Sequence, residues 1–222
     1  MQRHFDEELA ALKSKLLQMG SLVEEQIQEA LRALVNRDET LARKVINNDL
    51  RVNTMDVEVD EACLELLALY QPAARDLRFI TTAMKISTEL ERMSDLAENI
   101  CERAIELNEE PQLKPYIDIP QMAEKAMRMV WKALDAFVKW DSELAREVLK
   151  EDDDVDELTE QLFRELLSFM IENPATITRA IRLSFIAKYI ERIADHATNI
   201  GELIVYMVEG RIIRHTLHSQ LE

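Results

Sequence analysis

The sequence predicts an all-α protein built as two tandem three-helix bundles related by internal duplication. Three observations carry that prediction. Apolar residues recur at helical spacing almost throughout, with no sustained strand-like alternation. Only 3 glycines and 5 prolines interrupt 222 residues, and aromatic residues make up 5%, a composition suited to long helices with few turns. Residues 90–102, LERMSDLAENICE, return one hundred positions later as IERIADHATNIGE at 190–202.

The first helix is expected over 5–36. Asp38 then heads DETLARKVI, as Asp141 heads DSELAREVL. An aspartate ahead of an apolar-periodic run accepts hydrogen bonds from the free amides of a helix start, so each is read as an N-cap. The second helix, 39–70, stops at Pro72, because proline does not continue a helix. The third spans 74–108. Pro111, Pro115 and Pro120 cluster in EEPQLKPYIDIP, the one convincing linker. Helices are then expected over 119–139, 142–172 and 176–209, with Pro174 separating the last two. Leu41, Ala42, Arg43, Val45, Asp49 and Val52 match Leu144, Ala145, Arg146, Val148, Asp152 and Val155 at an offset of 103. The chain thus divides into a first repeat (1–110), a linker (111–118), a second repeat (119–210) and a C-terminal tail (211–222).

The formal net charge of −16 repels nucleic-acid phosphates and anionic headgroups, which argues against direct nucleic-acid binding. No stretch approaches 18 consecutive apolar residues, so no transmembrane helix is expected. The opening MQRHFDEELAAL lacks the apolar core of a signal peptide. Cys63 and Cys101, alone inside helical patterns, suit buried thiols in a reducing cytosol, so a cytoplasmic location is expected.

Carboxylates form rows. Glu91, Asp95, Glu98 and Glu102 follow i, i+4, i+7, i+11 and share one helix face. At about 100° per residue that row lies about 150° from the apolar stripe of Leu90, Met93, Ala97, Ile100 and Ala104, and is expected to face outward. The sixth helix repeats it with Glu191, Asp195 and Glu202, with Thr198 in place of one acid. The second helix offers Asp49, Asn53, Asp56 and Asp60, and the fifth offers Asp152 and Asp156 beside Asp153 and Asp154.

A solvated polar face is one reading of these rows. The other starts from repulsion, since like charges at i,i+4 cost roughly a few tenths of a kcal/mol per pair. Within 90–102 the one base is Arg92, repeated at Arg192. Hard or borderline cations bridging carboxylates on facing helices would relieve that repulsion. Spacing alone leaves open whether the rows face one another.

Catalytic vocabulary is thin. The Glu-x-x-His pairs of carboxylate-bridged di-iron bundles are missing, as are Gly-rich phosphate loops and zinc-type cysteine pairs. His196 points about 100° away from its neighbour Asp195 and reads as a core-flanking side chain rather than a ligand. His215 and His218 read as incidental. Arg75 and Arg78 in QPAARDLR have the placement to hold phosphate at a helix N-terminus, but read as surface arginines at a helix start.

Taken in order, HFDEELAALKSKLLQMGSLVE, DLRVNTMD, QPAARDLR, LERMSDLAENI, DDDVD, IERIADHATNI and YMVEG resemble the PhoU family of bacterial phosphate-uptake and phosphate-regulon regulators, over essentially the whole chain. The resemblance implies two three-helix bundles with quasi-two-fold symmetry. It also implies an adaptor that represses phosphate-starvation signalling when phosphate is plentiful. The implied partners are the ATPase subunit of the phosphate ABC transporter and the sensor histidine kinase, with the protein itself a homodimer. Family Glu/Asp-x-x-x-Asp motifs bind metal ions or multinuclear clusters. Here they fall on Glu91 with Asp95 and Glu191 with Asp195, with Asp49, Asn53, Asp152 and Asp156 on companion helices and Asp56, Glu98 and Glu202 as additional ligands. Asn53 departs from the carboxylate pattern and weakens or alters the first site. Iron fits the resemblance best, and Zn, Mg, Mn or Ca stay open. The rivals are a structural helical scaffold with solvated acids and a carboxylate-bridged metalloenzyme.

Overall fold

The computed structural model describes residues 2–213, with side chains from His4 onward. Six α-helices and one short 3-10 turn make up its regular structure, and no strand occurs among the described residues. They are α1 (Gln2–Asn36), α2 (Glu39–Tyr70), α3 (Ala74–Asn108), α4 (Asp118–Lys139), α5 (Ser142–Glu172) and α6 (Ile177–Glu209), with the 3-10 turn at Pro174–Thr176.

The helix boundaries have local causes that recur in both repeats. Arg37 and Trp140 adopt left-handed backbone, with φ of 55° and 57°. Each lets the next residue's amide reach back, Asp38 N to Ala33 O (2.9 Å) and Asp141 N to Ala136 O (3.0 Å), which closes the helix in a Schellman turn. The same two aspartates then cap the following helix, each accepting from the amide three residues on (Leu41 and Leu144) at 2.9 Å. Both N-caps fall where the sequence places them. At the second break Asn173 accepts from the Ala175 amide, and Pro174 opens the 3-10 turn.

Helices α3 and α6 pack antiparallel as the central pair. With α2 and α5 outside them they form a layer in the order α2–α3–α6–α5, and α1 and α4 lie together as a second layer. Helix α1 covers α2 and α3, while α4 covers α5 and α6. Leu16, Met19, Ile86, Met93, Met122, Phe137, Ile190 and Ile200 belong to one buried cluster, so the two repeats share a continuous core. Gly201 permits a close approach of α6 to α5: a Cβ there would sit 2.8 Å from Leu149 Cδ1 and 3.0 Å from the Ala145 carbonyl oxygen.

Arginines brace the helix ends, Arg37 within the first repeat and Arg75, Arg78 and Arg182 between the repeats. The Arg37 guanidinium meets the carbonyl oxygens of Leu107 (3.2 Å), Asn108 (2.9 Å) and Glu110 (2.6 Å), satisfying the free end of α3. Arg182 pairs with Glu106 and Glu110, each at 3.0 Å. Arg75 is exposed at the start of α3 and Arg78 is half-buried, and both make contacts with the second repeat. Arg75 lies over the Trp140 ring at 4.4 Å, and Arg78 Nε donates to the Met207 carbonyl near the end of α6 at 3.0 Å. Cys63 and Cys101 are buried thiols, each pushed up to about 12 by burial and by nearby acids. His215 and His218 lie outside the described residues, as does most of the tail assigned to 211–222. No described helix is long and apolar enough to cross a membrane.

Candidate metal centres: two carboxylate clusters

The acid rows of α3 and α6 face outward only in part: Glu102 and Asp195 are exposed, whereas Glu91, Glu98, Glu191 and Glu202 are half-buried. The angular estimate averages over one helix in isolation, whereas α3 packs against α1, α2 and α6, and α6 against α3, α4 and α5. Those contacts bury an arc wider than the apolar stripe, so the rows come to the edges of the helix seams. Asp49 is only 8% exposed, and the side chains of Glu91 and Glu191 are 22% and 13% exposed. The rows do face each other, α2 toward α3 and α5 toward α6.

In the first cluster, Glu91 sits among Asp95, Asp56 and Asp49. Burial first, then those charges, raise its carboxyl above the usual range, while Arg92 pulls the other way. Glu98 is raised by burial and by Asp49, Glu102 and Asp95, and Asp60 by burial and Asp56. Hydrogen-bond donors compensate for part of this crowding. Ser94 Oγ donates to Asp49 Oδ1 at 2.6 Å and is also bonded to Gln26 of α1. Asn53 Nδ2 donates to Asp49 Oδ2 at 2.7 Å, and Ser87 Oγ to Asp56 Oδ1 at 2.7 Å. Asn53 Oδ1 is buried without a partner.

In the second cluster, Asp152 takes the place of Asp49 and Asp156 that of Asn53. Burial and the charges of Asp195, Asp156, Asp153 and Glu191 push the Asp152 carboxyl up to about 7. Asp156 is raised by burial, Glu191 and Asp195. Asp195 is raised by burial and Glu191, against Lys188, His196 and Arg192. The donors of the first cluster are gone, because Ala194 stands for Ser94, Ala187 for Ser87 and Asp156 for Asn53. The Asp152 Oδ1 atom is buried with no hydrogen bond. An oxygen so placed is satisfied by a proton or a cation.

The chemistry of the donors suits hard cations, which take several carboxylate oxygens. Among the described residues, however, no group of three or more His, Cys, Asp or Glu side chains converges closely enough to hold a metal as placed. Holding one therefore requires Asp152, Asp156, Glu191 and Asp195 to draw inward. Glu202 does not join them; it lines a crevice with Thr81, Lys85 and Tyr206 on the α3 side of α6. His196 belongs to neither cluster. Its Nδ1 is hydrogen-bonded to Glu89 of α3 at 2.6 Å, and Asn199 Nδ2 donates to the same carboxylate oxygen at 3.1 Å. This bridge between repeats escaped the sequence reading, since Leu96 and Tyr189 hold the equivalent positions and leave no repeated signal.

Comparison with known proteins agrees with this architecture. The family profile described as "PhoU domain" matches residues 16–104 and 119–204, one match per repeat. The chain belongs to the PhoU family. It is 46% identical over 208 residues to the phosphate-specific transport system accessory protein PhoU homolog of Aquifex aeolicus, covering 94% of each chain. It is 36% identical over 218 residues to the PhoU of Escherichia coli K12, covering 98% of this chain and 90% of that one. The crystal structure of PhoU from Pseudomonas aeruginosa superposes with a TM-score of 0.89 at 40% identity, covering 93% of this chain and 100% of that one. The phosphate transport system regulatory protein PhoU from Streptococcus pneumoniae gives 0.88 at 31% identity, covering 94% and 98%. Within the PhoU fold, both carboxylate clusters lie at seams internal to one repeat, and the Glu89–His196 bond lies at the seam between repeats.

Proposed function

We propose that this PhoU-family protein is a negative regulator of phosphate uptake and phosphate-regulon signalling. In this reading it is a cytoplasmic, non-enzymatic, metal-binding adaptor, active as a homodimer, that couples the phosphate ABC transporter ATPase to the sensor histidine kinase by protein contact. The names of its relatives, accessory and regulatory proteins of phosphate transport, support the phosphate role. The observation that carries the metal role is half-buried Asp152, set among Asp195, Asp156 and Glu191 with one buried oxygen that no donor satisfies.

Asp152, Asp156, Glu191 and Asp195 would hold the stronger site, and Asp49, Asn53, Glu91 and Asp95 the weaker, with Asp56 and Glu98 alongside. Iron is favoured by the family resemblance, and Mn, Mg, Ca and Zn are compatible with the same oxygens. A bound cation would supply positive charge that locks α5 to α6 and offsets the repulsion between their acids. The test is affinity capture with the tagged protein from cells grown in ample phosphate, together with a phosphate-regulon reporter in a deletion strain. Recovery of the transporter ATPase or sensor kinase and derepression of the reporter are expected. Normal repression in the deletion strain would sink the regulatory reading.

A further inference from the structure

The outer face of α5 and α6 carries apolar side chains that the fold does not require. Phe163, Leu167 and Ile171 recur at i, i+4, i+8 on α5 and are 54%, 43% and 75% exposed. Ile177, Ile181 and Phe185 do the same on α6, at 40%, 42% and 48%. Of these, Phe163, Ile181 and Phe185 line an open groove of about 830 Å³ together with Ala187 and Met170, and the other three lie beside it. The internal duplication supplies a control. The first repeat has the same helices, yet Asp60, Thr81 and Lys85 occupy the positions of Phe163, Ile181 and Phe185. Three of the six apolar side chains are thus replaced by polar ones on the same scaffold.

Charge indicates what fits there. The groove opens at one end onto the second carboxylate cluster, with Asp156, Glu160 and Glu191 in its wall. Residues 151–163 hold seven acids and no base. The two bases that line the groove are already engaged, Arg164 with Glu160 at 3.3 Å and Lys188 with Glu191. From Asp156 to Met170 the wall extends about 21 Å along α5, the length of about four helical turns. A second copy of this chain, itself at −16, would bring like charge to an acidic rim.

We propose that this groove is a docking site for a basic amphipathic helix of a partner protein. Its apolar residues, spaced i, i+3/i+4, i+7, would seat on Phe163, Ile181 and Phe185, and its Lys or Arg residues would lie toward Asp156. The proposal rests on the adaptor reading and deepens it by giving it a contact surface.

The test uses the full chain and fluorescein-labelled 18-residue peptides in an anisotropy titration. One is an amphipathic helix with Lys at one end, a second carries Glu in place of Lys, and a third has the same composition with the apolar order scrambled. The protein variant combines Phe163→Asp with Phe185→Lys, residues the first repeat already carries on the same fold. Binding of the basic helix at least tenfold tighter than either control, weakened tenfold or more in the variant and by added salt, is expected. Equal binding of the three peptides, or undiminished binding by a folded variant, would overturn the groove. So would a wild-type dimer that the variant abolishes in sedimentation, which would make a second copy the occupant. Affinity capture separates the two readings. Peptide binding without recovery of the transporter ATPase or sensor kinase counts against the adaptor alone, whereas undiminished recovery of those partners by the variant counts against the groove alone.

Discussion

Asp152 of α5 faces Asp195 of α6 across their seam, and the buried oxygen of Asp152 has no hydrogen-bond donor. Its counterpart in the first repeat, Asp49, receives donors from both Ser94 and Asn53. Two copies of one ancestral seam thus differ in how their charge is met: the first by internal hydrogen bonds, the second by whatever proton or cation arrives.

That difference has a pH signature. Folded Asp152 keeps its proton up to about pH 7, whereas an unfolded aspartate titrates near ~4. The stability this protonated group contributes is full below the unfolded value and is lost as pH rises toward about 7. In chelator, Asp152→Asn is therefore expected to raise the melting temperature more at pH 8 than at pH 5.5. Allowing for solvent screening, the gain at pH 8 is about 1 kcal/mol, or roughly 2–4 °C. An equal shift at both pH values would show that the Asp152 charge is not the cause.

The bond between repeats should be measurable. His196→Leu, which installs the residue found at position 96, removes one of two groups bonded to the half-buried Glu89. A loss of about 1–2 kcal/mol in urea unfolding is expected. An unchanged midpoint would mean that the Glu89–His196 contact contributes nothing net.

Arg37 joins the end of α1 to the end of α3 through three carbonyl oxygens. Arg37→Ala is expected to cost about 2 kcal/mol, since hydrogen bonds to a charged donor are worth more than neutral ones. Scanning calorimetry should show a fall of roughly 4–8 °C. A fall of less than about 1 °C would remove the guanidinium from the account of how the end of α3 is held.

Much of the fold was legible because its stops are chemical. Asp38, Asp141, Pro72 and Pro174 act locally, so each is read without knowing the rest of the chain. The 3-10 turn at Pro174–Thr176 was missed because its pattern is only three residues long. The acids are identified by type and spacing, and their outward orientation holds for Glu102 and Asp195 but not for half-buried Glu91, Glu98 and Glu191. Rotation of a helix within a bundle depends on all its neighbours, and buried Thr82, Ser87 and Ser94 widen the packed face of α3 beyond its apolar residues. The contrast between Asp49 and Asp152 was within reach of the sequence. Aligning the repeats sets Ser94 against Ala194 and Asn53 against Asp156, the loss that leaves Asp152 without donors. The Glu89–His196 bond, present once, offered no such comparison.

The central claim is that the second cluster is the stronger cation site. The direct measurement is elemental analysis of wild type, Glu191→Gln/Asp195→Asn and Glu91→Gln/Asp95→Asn, each loaded with iron or manganese and dialysed, with helicity followed by circular dichroism. The account predicts that the Glu191/Asp195 variant loses at least half of the bound metal and the Glu91/Asp95 variant less, with helicity unchanged in both. Equal metal content in all three proteins would contradict it.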